Sequence, residues 1–187
     1  FCMNDDWRRL GKKTLHSTPW ISFVKAKYRN SSTKYVMNYY YCVIPTGSIV
    51  FPIDSRGRIL LLYGFAPPLS KKILSPVSGT VHKNESSEKT ARRELLEETG
   101  LAGKLEKIAV FNPGPFKSTG ELTVFIATGV KKIAEPNLEP TETFSYHWMS
   151  LNKILSLVKA GKIKNGILLS ALMLAMPKLR KLTKNKK

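Results

Sequence analysis

A chain of 187 residues with 42% apolar side chains can bury one sizeable core, and it is too apolar to stay disordered. Thirty-one Lys and Arg stand against thirteen Asp and Glu, a formal charge of +18, and such a surface attracts phosphate-bearing molecules. The longest apolar stretch, residues 166–176, is too short to cross a bilayer, and the acidic opening at residues 1–6 has no long apolar run, so neither a membrane span nor a signal peptide is expected. Cys2 and Cys42 make no recognisable disulfide or metal framework, which points to a reducing, cytoplasmic compartment.

Aromatic and β-branched residues predict strands over residues 35–43, 48–53 and 58–63. Asp54-Ser55-Arg56-Gly57 is a tight turn that should join the last two as a hairpin. Residues 67–76 hold three prolines and read as a loop. A helix is predicted over residues 86–99, capped by Ser86 or Ser87 and stopped by Gly100. Strands follow over residues 104–111, 121–130 and 144–149, the first two separated by the break Asn112-Pro113-Gly114-Pro115. Ser150 should cap a helix that Gly161 stops, and Asn165 a last helix ending near Pro177, before a basic tail over residues 178–187. Strands and helices that do not alternate strictly predict an α+β fold with a mixed sheet.

The acids are unevenly placed. Five of the thirteen lie between Glu85 and Glu98, and none follows Glu142. Helical spacing puts Glu94, Glu97 and Glu98 on one face, where they repel one another. Glu97 and Glu98 also fall in the last turn, where the helix dipole disfavours negative charge. A divalent cation removes both penalties, and hard oxygen ligands suit magnesium, with manganese as the alternative. Arg93, four residues before Glu97, can orient it by an ion pair. Ala91 and Leu95 leave an apolar back face for packing, while Gly79 and Gly100 frame the segment as turn and helix stop. His16, His82 and His147 are too scattered for a metal triad, and Trp20, Trp148 and Tyr39-Tyr40-Tyr41 read first as core.

The segment Gly79-Thr-Val-His-Lys-Asn-Glu85-Ser-Ser-Glu-Lys-Thr-Ala-Arg-Arg93-Glu94-Leu95-Leu-Glu97-Glu98-Thr-Gly100-Leu101 resembles the Nudix box at every defining position. The resemblance implies a Nudix-like α/β/α sandwich and a magnesium-dependent hydrolase. It implies a metal site with Glu94 and Glu98 as main ligands and Glu97 alongside, a backbone carbonyl of Ser78 or Gly79 completing the shell, and Glu85 acting by hydrogen bonding or through a metal-bound water. Catalysis would involve Glu97, Glu98 and Arg93, which holds the glutamates in place.

The wider layout is most similar to the ADP-ribose pyrophosphatase branch. Trp7-Arg8-Arg9-Leu10 and Thr18-Pro19-Trp20-Ile21 resemble its N-terminal strands, and Glu142-Thr143-Phe144-Ser145-Tyr146-His147-Trp148 a later one. That branch implies a loop glutamate as base or extra ligand: Glu142 first, Glu139 second. It also implies a substrate such as ADP-ribose or a related nucleoside-diphosphate sugar, and a homodimer. Residues 1–45 would then be a strand extension that serves the dimer, residues 46–177 the Nudix hydrolase domain, and residues 178–187 the tail. Two departures bear on the substrate: Tyr63-Gly64-Phe65-Ala66 lacks the branch's arginine, and Ser75-Pro76-Val77-Ser78-Gly79 lacks its acidic residue. The +18 charge keeps two alternatives open, hydrolysis of nucleoside triphosphates or RNA 5′ ends, and a Nudix-fold nucleic-acid-binding module.

Overall fold

The computed structural model describes residues 6–184. Cys2, the acidic opening at residues 1–5 and the tail lysines Lys186 and Lys187 lie outside the described residues. The chain divides into two units, one of residues up to Pro45 with Gly114–Glu121, the other of Thr46–Pro113 with residues from Leu122 onward.

The first unit is an antiparallel sheet of β1 (Trp7–Ser17), β2 (Ser22–Asn30) and β3 (Val36–Val43), in that order. Thr18-Pro19-Trp20-Ile21 is the turn between β1 and β2 rather than strand, because the Thr18 hydroxyl accepts from the backbone N–H groups of Trp20 and Ile21. Asn30 closes the next turn, its side-chain oxygen accepting from the Ser32 and Thr33 N–H groups. The Gly114–Glu121 segment fastens to β3, with the Cys42 N–H donating to the Lys117 carbonyl and the Tyr39 hydroxyl to that of Phe116.

The second unit holds β4 (Gly47–Pro52), β5 (Ile59–Ala66), a 3₁₀ turn at Pro67–Leu69, β6 (Lys71–Ser75), β7 (Val77–Thr80), α1 (Ser87–Thr99), β8 (Leu101–Phe111), β9 (Leu122–Lys132), β10 (Phe144–Met149), α2 (Leu151–Lys159) and α3 (Gly166–Lys184). Four strands form a mixed sheet in the order β7-β4-β9-β8, with β4 and β9 parallel. A second, antiparallel sheet runs β10-β5-β6. Alternation on the central strands builds two cores. Ile49, Phe51, Ile59, Leu61, Val124 and Ile126 pack against Leu151 and Ile154 of α2 and Leu168, Leu172 and Leu179 of α3. Val50, Leu60, Leu62, Phe125 and Ala127 face the other way, against Ala91 and Leu95 of α1. Helices therefore cover both sides, the layering expected of an α+β sandwich.

Four expectations need correcting. The turn at residues 54–57 forms, and the Arg58 N–H and guanidinium both bond Asp54, but β4 and β5 share only the bridge Ile53↔Ile59. Pro52 has no N–H to extend a ladder, and each strand is buried and takes partners in its own sheet. Residues 67–76 are a turn plus strand β6, whose Lys71 and Lys72 suit an exposed edge. Gly79 lies within β7, not in a turn. The last helix runs through Pro177 to Lys184, because Leu168, Leu172, Ala175 and Leu179 keep one apolar seam across the proline. Its Lys178 pairs with Glu106 of β8 at 2.7 Å, so the start of the basic tail belongs to the helix. No helix among the described residues is long and apolar enough to cross a membrane.

Candidate active site

The site is built on α1 and the strand beside it. Ser86 caps the helix, accepting from the Lys89 N–H, and Gly100 ends it in the left-handed region at φ 71°, its N–H donating to the Leu96 carbonyl. Ala91 and Leu95 seat the back of the helix in the core. That seat turns the carboxylates toward β7, an edge strand whose outward backbone groups are free to meet them.

Arg93 organises the glutamates. Its Nε and Nη2 donate to the two oxygens of Glu85 at 3.2 and 3.1 Å. Nη1 donates to Glu94 at 2.6 Å and to Glu97 at 2.9 Å, and Nη2 also reaches the Thr80 carbonyl at 3.1 Å. The expected Arg93–Glu97 pair is thus one arm of a larger fork. Glu85 further accepts from the Thr90 hydroxyl and the His82 N–H. The Arg93 hydrogen bonds hold the Glu85 carboxyl down to about 2, and those bonds in turn raise the guanidinium above its ordinary value.

Glu98 is the exception. It is 4% exposed and receives no arginine; the Ser78 N–H donates to it at 3.0 Å. Burial pushes its carboxyl up to about 9, and the charges of Glu94, Glu142 and Glu97 add to the shift against the Ser78 bond. Glu94 is also raised, first by burial, against the pull of Arg93. Gly79 packs so closely that an added Cβ would collide with the Glu94 carboxylate, so its lack of a side chain matters here, not its backbone freedom.

Three carboxyls thus share one guanidinium, and the fourth, Glu98, has none. Among the described residues, no three His, Cys, Asp or Glu side chains stand at the spacing that holds an ion. Arg93 draws Glu94 and Glu97 to itself while Glu98 turns to Ser78. The donor chemistry nevertheless fits a hard divalent cation: oxygen ligands, buried, short of positive charge, with a glycine leaving room beside Glu94. Ser78 and Gly79 lie in strand β7 beside these carboxyls, and Ser78 engages Glu98 through its N–H rather than its carbonyl.

Glu142 folds into its own turn, its carboxylate accepting from the Glu139 N–H at 3.0 Å. Its charge still bears on Glu94 and Glu98, which places it near the cluster without a direct bond, while Glu139 is exposed. Tyr146 is a site residue that the sequence pattern of acids does not reveal. Its hydroxyl donates to the Glu98 backbone carbonyl at 2.8 Å, bracing the helix end that carries Glu98. The signal for it is strand alternation, since Phe144, Tyr146 and Trp148 share one face of β10, and Phe144 and Trp148 pack on the α1 core. Tyr146 and Trp148 also line a cavity of about 380 Å³ with Leu60, Leu101, Lys132 and Glu135.

The NUDIX domain family pattern matches residues 44–170. The chain is 31% identical over 121 residues to an ADP-ribose pyrophosphatase of Bacillus subtilis (strain 168), covering 64% of this chain and 65% of that protein. It is 27% identical over 121 residues to a methanol dehydrogenase activator of Bacillus methanolicus, covering 64% and 65%. It is 32% identical over 108 residues to an ADP-ribose pyrophosphatase of Escherichia coli (strain K12), covering 54% and 50%. The chain therefore spans less than two thirds of the length of these relatives. A crystal structure of an ADP compounds hydrolase superposes with a TM-score of 0.83 over 97% of both chains at 18% identity, a likeness of fold. A family pattern that spans most of the chain, carried on a fold shared along nearly its whole length, makes this chain a member of the Nudix family.

Proposed function

We propose that this protein is a magnesium-dependent Nudix hydrolase that cleaves the diphosphate linkage of ADP-ribose or a related nucleoside-diphosphate sugar. The observation that carries the reading is the cation-deficient cluster of Glu85, Glu94, Glu97 and Glu98 around Arg93, with Glu94 and Glu98 buried, set in the Nudix segment. Relatives named ADP-ribose pyrophosphatase support the substrate class.

Glu94, Glu97 and Glu98 would hold the metal, with Glu85 behind them and a backbone carbonyl of Ser78 or Gly79 beside them. Bound magnesium offsets the charge of the diphosphate and lowers the pKa of an attacking water. Arg93 keeps the helix glutamates from springing apart when the site is empty of cation and fixes their direction. Glu98 must give up its proton to become a ligand, so its burial links metal capture to pH. Glu142, whose charge reaches this cluster from a loop, is the first candidate to accept the proton of the attacking water, and Glu139 the second. Lys71 lies directly opposite Ala66 in the β5–β6 ladder, where it would hold a substrate phosphate in place of the branch's arginine. The setting we propose is cytoplasmic, from a sequence whose Cys2 and Cys42 make no recognisable disulfide framework.

The test is kcat/KM for ADP-ribose, ATP and 5′-triphosphate RNA at one magnesium concentration, repeated with EDTA. ADP-ribose should lead, and activity should vanish with the chelator. A triphosphate ahead by about tenfold, roughly 1.4 kcal/mol of transition-state preference, would move the assignment to the triphosphate or RNA-end class.

A further inference from the structure

The first unit carries a second feature that the hydrolase reading does not use. From Trp7 to Pro45 there are eight Lys and Arg and no Asp or Glu. Strand pairing gathers five of them on one face. Arg8 lies opposite Arg29, Lys13 opposite Lys25, and Lys27 opposite Gly11. Residues directly opposite in an antiparallel pair share a face, and like charges there destabilise the sheet. Among the described residues, none of the five forms an ion pair that would relieve this. A sheet that only had to fold would gain by breaking up these pairs.

The same face carries aromatic rings. Across the β2–β3 ladder Lys25 is opposite Tyr40 and Phe23 opposite Cys42. The Phe23 and Tyr40 rings lie 6.0 Å apart at 24°, both exposed, and the Lys25 ammonium sits 5.8 Å from the Tyr40 ring centre. Gly11 has open space where its side chain would be, and a groove runs there between Lys12, Lys13, Lys25, Lys27 and Asn38.

We infer that this face of the β1–β2–β3 sheet binds single-stranded nucleic acid, with Arg8, Lys13, Lys25, Lys27 and Arg29 on the phosphates and the Phe23–Tyr40 pair stacking bases. Unpaired cations in a groove supply the electrostatic track, and exposed rings accept any base by its flat face. Lys25, Lys27 and Arg29 recur every second residue of one strand, about 6.8 Å apart, a repeat that follows an extended phosphate backbone. A duplex hides the flat faces of its bases from such rings, so single strands fit better.

The test is fluorescence anisotropy of a labelled oligouridylate against the full chain over a salt series. Five phosphate contacts on a single strand predict that log K falls with log salt at a slope of about −3.5. The combined variant Lys13→Ser, Lys25→Ser, Lys27→Ser should reduce that slope by about 2 and weaken binding at least ~tenfold. Removing charge repulsion should leave its melting temperature at or above that of the parent. Tyr40→Ala should weaken binding about tenfold with the slope unchanged. Parent-like binding by the triple variant would overturn the inference. So would a silent Tyr40→Ala together with equal affinity for heparin or phosphatidylserine vesicles, which would reduce the face to a general attraction for anions. Hydrolysis of ADP-ribose by the triple variant should be unchanged, which separates failure here from failure of the hydrolase reading.

Discussion

Glu98 makes a quantitative prediction about the metal-free protein. Its carboxyl is raised to about 9 in the folded chain from an ordinary 4.5, chiefly by burial. Between those values the folded protein keeps a proton that the unfolded chain has released. Stability therefore falls as pH rises across this window, by about 1.4 kcal/mol for each pH unit. From pH 6 to pH 8 the loss from Glu98 alone is about 3 kcal/mol. Glu85 adds nothing to that slope, because its lowered carboxyl gives stability that is lost only as pH falls below the ordinary carboxylate range toward about 2. In Glu98→Gln the amide oxygen still accepts from the Ser78 N–H and nothing titrates. Urea denaturation with EDTA at pH 6 and pH 8 should show the parent losing about 3 kcal/mol more than the variant. Magnesium should cancel the difference in the parent, since binding expels the same proton, and apparent metal affinity should rise with pH. Turnover in Glu98→Gln should fall at least ~100-fold with the fold intact. Equal pH slopes in parent and variant would show Glu98 ionised without metal, and the reasoning from burial would be refuted.

Gly79→Ala should lower the melting temperature and reduce ADP-ribose turnover at least ~tenfold, because the new methyl displaces the Glu94 carboxylate from Arg93; full turnover would deny that Glu94 needs that room. Arg93→Lys keeps the charge but loses the fork to Glu85, Glu94, Glu97 and Thr80, and should cost about 3 kcal/mol in urea denaturation; a loss near zero would show the fork to be ornamental. The N-terminal sheet should join two copies: β1 is exposed along its whole length, with Leu10 and Leu15 at 43% and 44%. Light scattering at micromolar concentration should return a dimer, and a clean monomer refutes it.

Local chemistry was the legible part of the fold. Ser86 and Gly100 bound α1 where their side-chain oxygen and backbone freedom demand, and Ser150 and Asn165 cap α2 and the start of α3 in the same way. Features decided by distant partners were not legible. The turn after Pro52 looks like a hairpin locally, but it becomes a crossing between two sheets because β4 finds β7 and β9. Pro177 looks like a stop until the buried seam to Leu179 is known, for packing offsets a missing N–H that propensity alone would not.

The site divides along the same line. Helical spacing alone brings Glu94, Glu97 and Glu98 together and aims Arg93 at Glu97, and both follow from residues three and four apart. It cannot say which carboxylate is buried, because burial depends on β7 lying across the helix end. That packing separates the cluster into two kinds of acid. Glu85, Glu94 and Glu97 share an arginine, whereas Glu98 meets only a backbone N–H and burial raises its carboxyl. Tyr146 ties β10 to the carbonyl of that same residue, so three elements converge on Glu98 and none supplies it a charge. A structural helix gains nothing from a buried acid kept neutral at such cost. On the proposed hydrolase reading such a helix does gain, because the arginine would hold most of the ligands ready while Glu98 would wait for the charge that only a cation brings.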